Sequence, residues 1–255
     1  MIFLFFKKLL RFIKRKILYV KNVSKNIYLS LANFLLERKP SGCTIYYIDA
    51  GLHVEGDQLS EVMSWLAPIK NVVFVGFEAN PEHFIKVNKK FSGCPNLYIE
   101  NYALVGPEFE SGEISFYVDP GGKGLGDTTS VIRAKERRMK EISVPAIRLS
   151  TYLKKLGVRP GQDTILLRMN IEGAELDVLK DLKDVNWINK IDGYYGSWSD
   201  VYKISSEDGR VLDKIKSDFR INNIAFNSGE TKKGRKSMMM KSIRFHLVSV
   251  IRRCV

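Results

Sequence analysis

From residue 44 onward, short apolar runs alternate with stretches whose apolar positions recur at helical spacing. Such alternation predicts an α/β fold, a mostly parallel sheet with helices on both faces. Residues 44–49 form the first predicted strand and 58–66 the helix that follows it. Residues 71–78 (Asn-Val-Val-Phe-Val-Gly-Phe-Glu) are apolar enough for a strand buried on both faces. Asn80 and Pro81 then read as the N-cap and first residue of a second helix. Further along, strands are predicted at 97–104, 113–118, 142–148, 164–169 and 188–195, and helices at 150–156, 172–182 and 206–217. Residues 222–226 and 242–251 read as closing strands, and the glycine-rich stretch 120–127 as a surface loop.

The first 40 residues follow a different pattern. Basic residues (Lys7, Lys8, Arg11, Lys14) fall on one helical arc and apolar ones (Phe5, Leu9, Phe12, Ile13) on the opposite arc. The uncharged start is six residues, Met1 to Phe6, and the longest uncharged run in the first 40 is eleven, Asn26 to Leu36, against the roughly 20 that cross a bilayer. A secretory signal would carry its charge ahead of a longer apolar run. The expectation is a basic amphipathic helical extension over 1–40, with residues 1–25 able to lie on an anionic membrane surface. Lys39-Pro40-Ser41-Gly42 marks the boundary to a single domain over 41–255.

Charge supports this division. The chain carries a net +13, of which residues 1–40 hold +9 and residues 228–255 hold +7, leaving −3 between them. Basicity confined to the ends points to an anionic surface rather than to a nucleic-acid-reading catalytic face, so nucleic acid is not the expected partner. The three cysteines, Cys43, Cys94 and Cys254, have no metal-site spacing, and no disulfide framework is evident. A cytoplasmic protein, peripheral on a membrane, is the expectation.

Candidate chemistry begins with Asp49-Ala-Gly-Leu-His-Val-Glu-Gly56, between a predicted strand and a helix. Gly51 and Gly56 would let backbone approach a ligand, and Asp49 at the strand end could meet an amine or hydroxyl. Glu78 ends the second strand, where an acid accepts hydrogen bonds from ribose hydroxyls. The spacing fits neither a dinucleotide fingerprint nor a Walker phosphate loop. His53 and Glu172 are candidate bases, although Glu172 could instead cap a helix dipole. His83 and His246 are expected at the surface or in packing. Trp198, in the aromatic stretch 194–199, is the substrate-side candidate for stacking on a sugar ring. No dense cluster of His, Asp and Glu suggests a metal.

These segments, in this order, resemble the FkbM family of methyltransferases. Tyr47-Ile-Asp-Ala-Gly51 is similar to the family's first cofactor motif, and Phe77-Glu-Ala-Asn-Pro81 to its acidic second. Asn101-Tyr-Ala-Leu104 is similar to the segment near the adenine, which implies cofactor contacts from Asn101 and Ala103. Residues 144–153 match a further family stretch in outline. Leu167-Arg-Met-Asn-Ile-Glu-Gly-Ala-Glu-Leu-Asp-Val-Leu179 is similar to the signature K-x-D-x-E-G-x-E-x-x-x-L. Here Arg168 replaces the lysine and Asn170 the aspartate, so Asn170 keeps hydrogen bonding but loses charge and basicity. The usual second glycine of the first motif is Glu55, with Gly56 one place later.

The resemblance implies a Rossmann-like class I methyltransferase fold and S-adenosylmethionine as cofactor. It further implies methyl transfer to a hydroxyl of a sugar, glycolipid or similar small molecule, with Arg168, Asn170, Glu172 and His53 in or beside the catalytic site. Asn170 and the shifted glycine leave a second expectation, a catalytically idle module that binds at a membrane surface.

Overall fold

A computed structural model describes residues 42–67, 69–110, 112–118 and 140–224. The amphipathic extension, the loop 120–127 and the closing strand 242–251 lie outside the described residues.

Five parallel strands form the central sheet: β1 (Ile45–Ala50), β2 (Val72–Phe77), β3 (Leu97–Glu100), β7 (Thr164–Met169) and β8 (Gly193–Tyr195), in the order β3-β2-β1-β7-β8. Three more strands, β4 (Ala103–Val105), β5 (Glu113–Val118) and β6 (Lys140–Arg148), make a smaller mixed sheet in the order β4-β6-β5. Strand alternation sends the residues of β1 and β7 to two cores. Ile48, Ala50, Ile165, Leu167 and Met169 face a layer built by α3 (Leu149–Lys155), α4 (Glu175–Asp184) and α6 (Ser206–Asp218). Ile45, Tyr47 and Leu166 face α1 (Asp57–Leu66) and α2 (Pro81–Lys90). Every residue of β1 and β7 is buried, as continuous apolar runs in a doubly covered parallel sheet require. The fold is a Rossmann-like α/β sandwich. Among the described residues, no helix is long and apolar enough to cross a membrane.

Several elements depart from expectation, each for a local reason. The strand expected over 97–104 divides in two. β3 loses its partner where β2 ends, its last pair being Phe77 with Glu100. The Asn101 amide then donates to the carbonyls of Glu78 (2.7 Å) and Ala79 (3.0 Å), and β4 leaves to pair with Ala146–Arg148. The strand expected over 188–195 is a 3₁₀ turn at Ile188–Lys190, then the three residues of β8. Asp192, between them, accepts the backbone N–H of Ile165 at 2.9 Å. The helix expected from Glu172 starts at Glu175, because Glu172 (φ 55°) and Gly173 (φ 110°) are left-handed. A short helix, α5 (Ser199–Ile204), was not apparent from the pattern. Of the strand expected at 222–226, residues 225–226 lie outside the described residues, and Ile224 bridges Tyr195 in parallel. The Asn80 cap is present: its side-chain oxygen accepts from the N–H of Glu82 at 3.0 Å, with Pro81 at the first position.

Candidate active site

The strand order reverses between β1 and β7, each of which runs on to a helix on its own side of the sheet. Connections leaving on opposite faces open a crevice beyond the carboxyl ends of these strands, where open α/β sheets bind ligands. A solvent-open cleft of about 670 Å³ lies there. The loop after β1 gives it Gly51 and His53, and the end of β2 gives Phe77 and Glu78. Tyr102, Ala103 and Leu104 come from β4 and the turn before it, and Asn170, Ile171 and Glu172 from the turn after β7.

Glu78 is the most constrained polar group in the cleft. It is 5% exposed, and its Oε2 accepts the His53 N–H (2.8 Å) and its Oε1 the Asn80 N–H (3.0 Å). Burial pushes its carboxyl up to about 7, against the pull of those two donors, and the buried Asp49 adds to the rise. A carboxylate offers about four acceptor sites, so two backbone bonds leave capacity for ligand hydroxyls. Beside it, Phe77 packs edge-on against Tyr152 at 5.0 Å, and Tyr152 is held by its hydroxyl on Glu100 (2.8 Å). Phe77, Tyr102 and Leu104 thus give one wall flat apolar surface next to an acid.

The opposite wall is the turn 170–174. Glu175, 1% exposed, fastens it by accepting the N–H groups of Ile171 and Gly173, both at 2.8 Å. Burial raises its carboxyl to about 7 despite these bonds. Asn170 and Glu172 are thereby presented to the cleft on a braced turn.

Of the expected site residues, His53, Gly51, Glu78, Ala103, Asn170 and Glu172 line this cleft. The others have different places. Asp49 and Arg168 are paired across β1 and β7, 1% and 5% exposed, on the face covered by α1 and α2. Arg168 also donates to the Gly51 carbonyl at 3.3 Å. Burial raises the Asp49 carboxyl and the Arg168 guanidinium opposes that rise. Gly51 has φ 86°, and a Cβ there would lie 2.2 Å from the Asn170 carbonyl oxygen; its bare backbone is needed for contact with β7. Gly56 is the α1 N-cap, where a Cβ would meet Phe91 at 2.7 Å. Asn101 braces the ends of β2 and β3. Trp198 is a core residue: it is buried, edge-on to Tyr194 at 5.9 Å, with the Lys216 ammonium over its ring. Glu172 is not a helix cap, since α4 begins three residues later.

Two residues at the site were not singled out from the pattern. Glu175 lies inside the signature segment, but only the fold shows its carboxylate turned back on the preceding loop. His83, expected at the surface or in packing, lines the cleft with Nδ1 3.9 Å from Glu78 Oε1 and its ring 5.7 Å from that of His53. Among the described residues, no group of three or more His, Cys, Asp or Glu side chains is placed to hold a metal ion.

Comparison with known proteins places this cleft in a family. No curated protein matches the chain. Among solved structures, the crystal structure of a methyltransferase FkbM from Methylobacillus flagellatus KT aligns over 68% of this chain and 37% of its own, with 11% identity and a TM-score of 0.40. The chain thus spans little more than a third of that structure's length. The family model described as the methyltransferase FkbM domain matches residues 49–214, more than half of the chain and all of the residues that line the cleft. The chain belongs to the FkbM methyltransferase family.

Proposed function

We propose that the protein is an S-adenosylmethionine-dependent O-methyltransferase, acting on a hydroxyl of a sugar, glycolipid or similar small molecule. The observation that carries this reading is Glu78: a buried acid at the carboxyl end of β2, braced by two backbone N–H groups and lining a cleft at the strand-order reversal. Its remaining acceptor capacity suits ribose hydroxyls, and the Phe77–Tyr102–Leu104 wall beside it suits a flat heteroaromatic ring. The residues present therefore fit such a cofactor, which when bound would supply an electrophilic methyl on sulfur.

Methyl transfer to oxygen asks the protein for in-line placement and for a group to take the hydroxyl proton. Glu172 and His53 both line the cleft and are the candidates for that proton. Asn170 beside them can orient a hydroxyl by hydrogen bonding but cannot remove its proton. Glu172 or His53 would accept the proton that the acceptor hydroxyl gives up as its oxygen takes the methyl the cofactor would supply. Asn170, where the family signature carries an acid, also favours a second reading, a methyltransferase-like module that binds without turnover. In either case residues 1–25 would hold the protein at an anionic membrane surface.

Calorimetric titration of S-adenosylmethionine into the full chain tests the proposal. Micromolar binding that Glu78→Ala abolishes is the expected result, followed by methyl transfer to a glycan acceptor and its loss in Glu172→Gln. Folded protein that does not bind the cofactor would refute it, and binding without transfer would favour the idle module.

A further inference from the structure

The turn after β7 holds its candidate base in a conformation that a glutamate does not adopt unaided. Glu172 has φ 55°, where the side chain of an L residue crowds its own backbone, a cost that glycine avoids and asparagine tolerates. Among the described residues, six that are not glycine have positive φ; three are asparagines, and two of the others, His53 and Glu172, line the cleft. Backbone of this kind persists only where surrounding bonds over-determine it, and it collects at active sites.

At Glu172 the peptide planes on both sides are pinned. The plane before it carries the Ile171 carbonyl, which accepts the Ala174 N–H at 3.3 Å. The plane after it carries the Gly173 N–H, which donates to Glu175 Oε2 at 2.8 Å. One plane earlier, the Ile171 N–H donates to Glu175 Oε1, also at 2.8 Å. The Asn170 N–H on the Ala50 carbonyl (3.0 Å) ties the start of the turn to β1. The Glu175 carboxylate thus brackets Glu172, and at 1% exposure it is shielded from competing water.

We propose that Glu175 is a positioning residue for methyl transfer: its two oxygens hold Glu172 left-handed, with the Glu172 side chain at the cleft. The role rests on Glu172 taking the acceptor's proton. A glutamine at 175 keeps the shape but has one acceptor oxygen and an amide NH₂, which cannot accept the second N–H.

Amide hydrogen exchange of the full chain, followed by NMR, is the first test. In wild type the Ile171 and Gly173 amides should exchange about a hundredfold slower than in unstructured peptide. Unprotected rates there would overturn the role, whether or not any variant folds. In Glu175→Gln at least one of the two should exchange about tenfold faster, beyond any change shared by Leu166 and Leu167 of β7. No such excess would overturn it. The second test pairs calorimetric titration of S-adenosylmethionine with transfer of its labelled methyl to hexose methyl glycosides. Glu175→Gln should lower kcat about a hundredfold and leave cofactor affinity close to wild type. A purely structural brace would lower the folded fraction and leave kcat per folded molecule unchanged, which would overturn the role. Failure of the underlying reading looks different: wild type would bind the cofactor without transfer, or Glu172→Gln would transfer as fast, while both amides stay protected.

Discussion

Replacing Gly51 by alanine probes the contact on which the cleft floor is built. The glycine has φ 86°, and an added Cβ would lie 2.2 Å from the Asn170 carbonyl oxygen and 2.9 Å from its carbon. Both are backbone atoms and neither can rotate away. Ordinary contact begins near 3.4 Å, so the ends of β1 and β7 would have to separate by about 1 Å. That motion strains the bond from the Asn170 N–H to the Ala50 carbonyl, now 3.0 Å. Gly161 provides a matched control: its φ is 89°, and an added Cβ would meet nothing within 4 Å. Gly161→Ala should therefore cost only the backbone term, about 1–2 kcal/mol. Gly51→Ala carries the same term plus about 1–3 kcal/mol of overpacking and up to about 1 kcal/mol from the weakened hydrogen bond. The expected gap between the variants is about 2–3 kcal/mol. Urea unfolding followed by circular dichroism measures it, with equal m-values as the check that the denatured states match. Cofactor affinity should fall in Gly51→Ala and hold in Gly161→Ala. Equal destabilisation of the two, within about 0.5 kcal/mol, would refute the close approach of β1 to β7.

The buried Asp49–Arg168 pair makes a second prediction. Arg168→Met leaves a carboxylate 1% exposed without its partner and should cost about 3–5 kcal/mol. Adding Asp49→Asn should recover much of that loss, and strictly additive unfolding free energies would show that the two side chains do not interact. Glu175 predicts a pH dependence. Its folded carboxyl titrates at about 7, above its ordinary 4.5, so the folded state binds more protons between those values and its stability falls as pH rises through them. The associated loss by pH 8 is about 3 kcal/mol. Glu175→Gln should flatten that part of the stability-versus-pH curve measured by urea unfolding; an unchanged slope between pH 5 and pH 8 would assign it to other groups.

Much of this architecture is legible in the sequence because parallel strands buried on both faces must be continuously apolar. Ile45–Ala50, Val72–Phe77 and Thr164–Met169 follow that rule closely enough to be located to within a residue or two. Asn80-Pro81 marks a helix start through local chemistry alone, and Glu78 declares itself as an acid at a strand end. Local signals fail where pairing partners decide. Residues 97–104 read as one apolar strand, yet β2 ends at Phe77 and Asn101 turns the chain toward β6. The same limit governs side chains whose meaning depends on neighbours distant in sequence. Asp49 and Arg168 look like ligand-binding groups until register sets them opposite each other across β1 and β7. Trp198 looks like a stacking platform until Tyr194 and Lys216 close over it. His83 reads as one more helix residue until the turn of α2 brings it beside Glu78. Hydrophobic period and turn chemistry are properties of a few adjacent residues, so the layers, the doubly buried strands and the acid at the end of β2 can be read from the chain alone. Ion pairs, close backbone approach and burial join residues about 120 apart along the chain, so which polar groups line the cleft and which hold the sheet together depends on how distant strands meet.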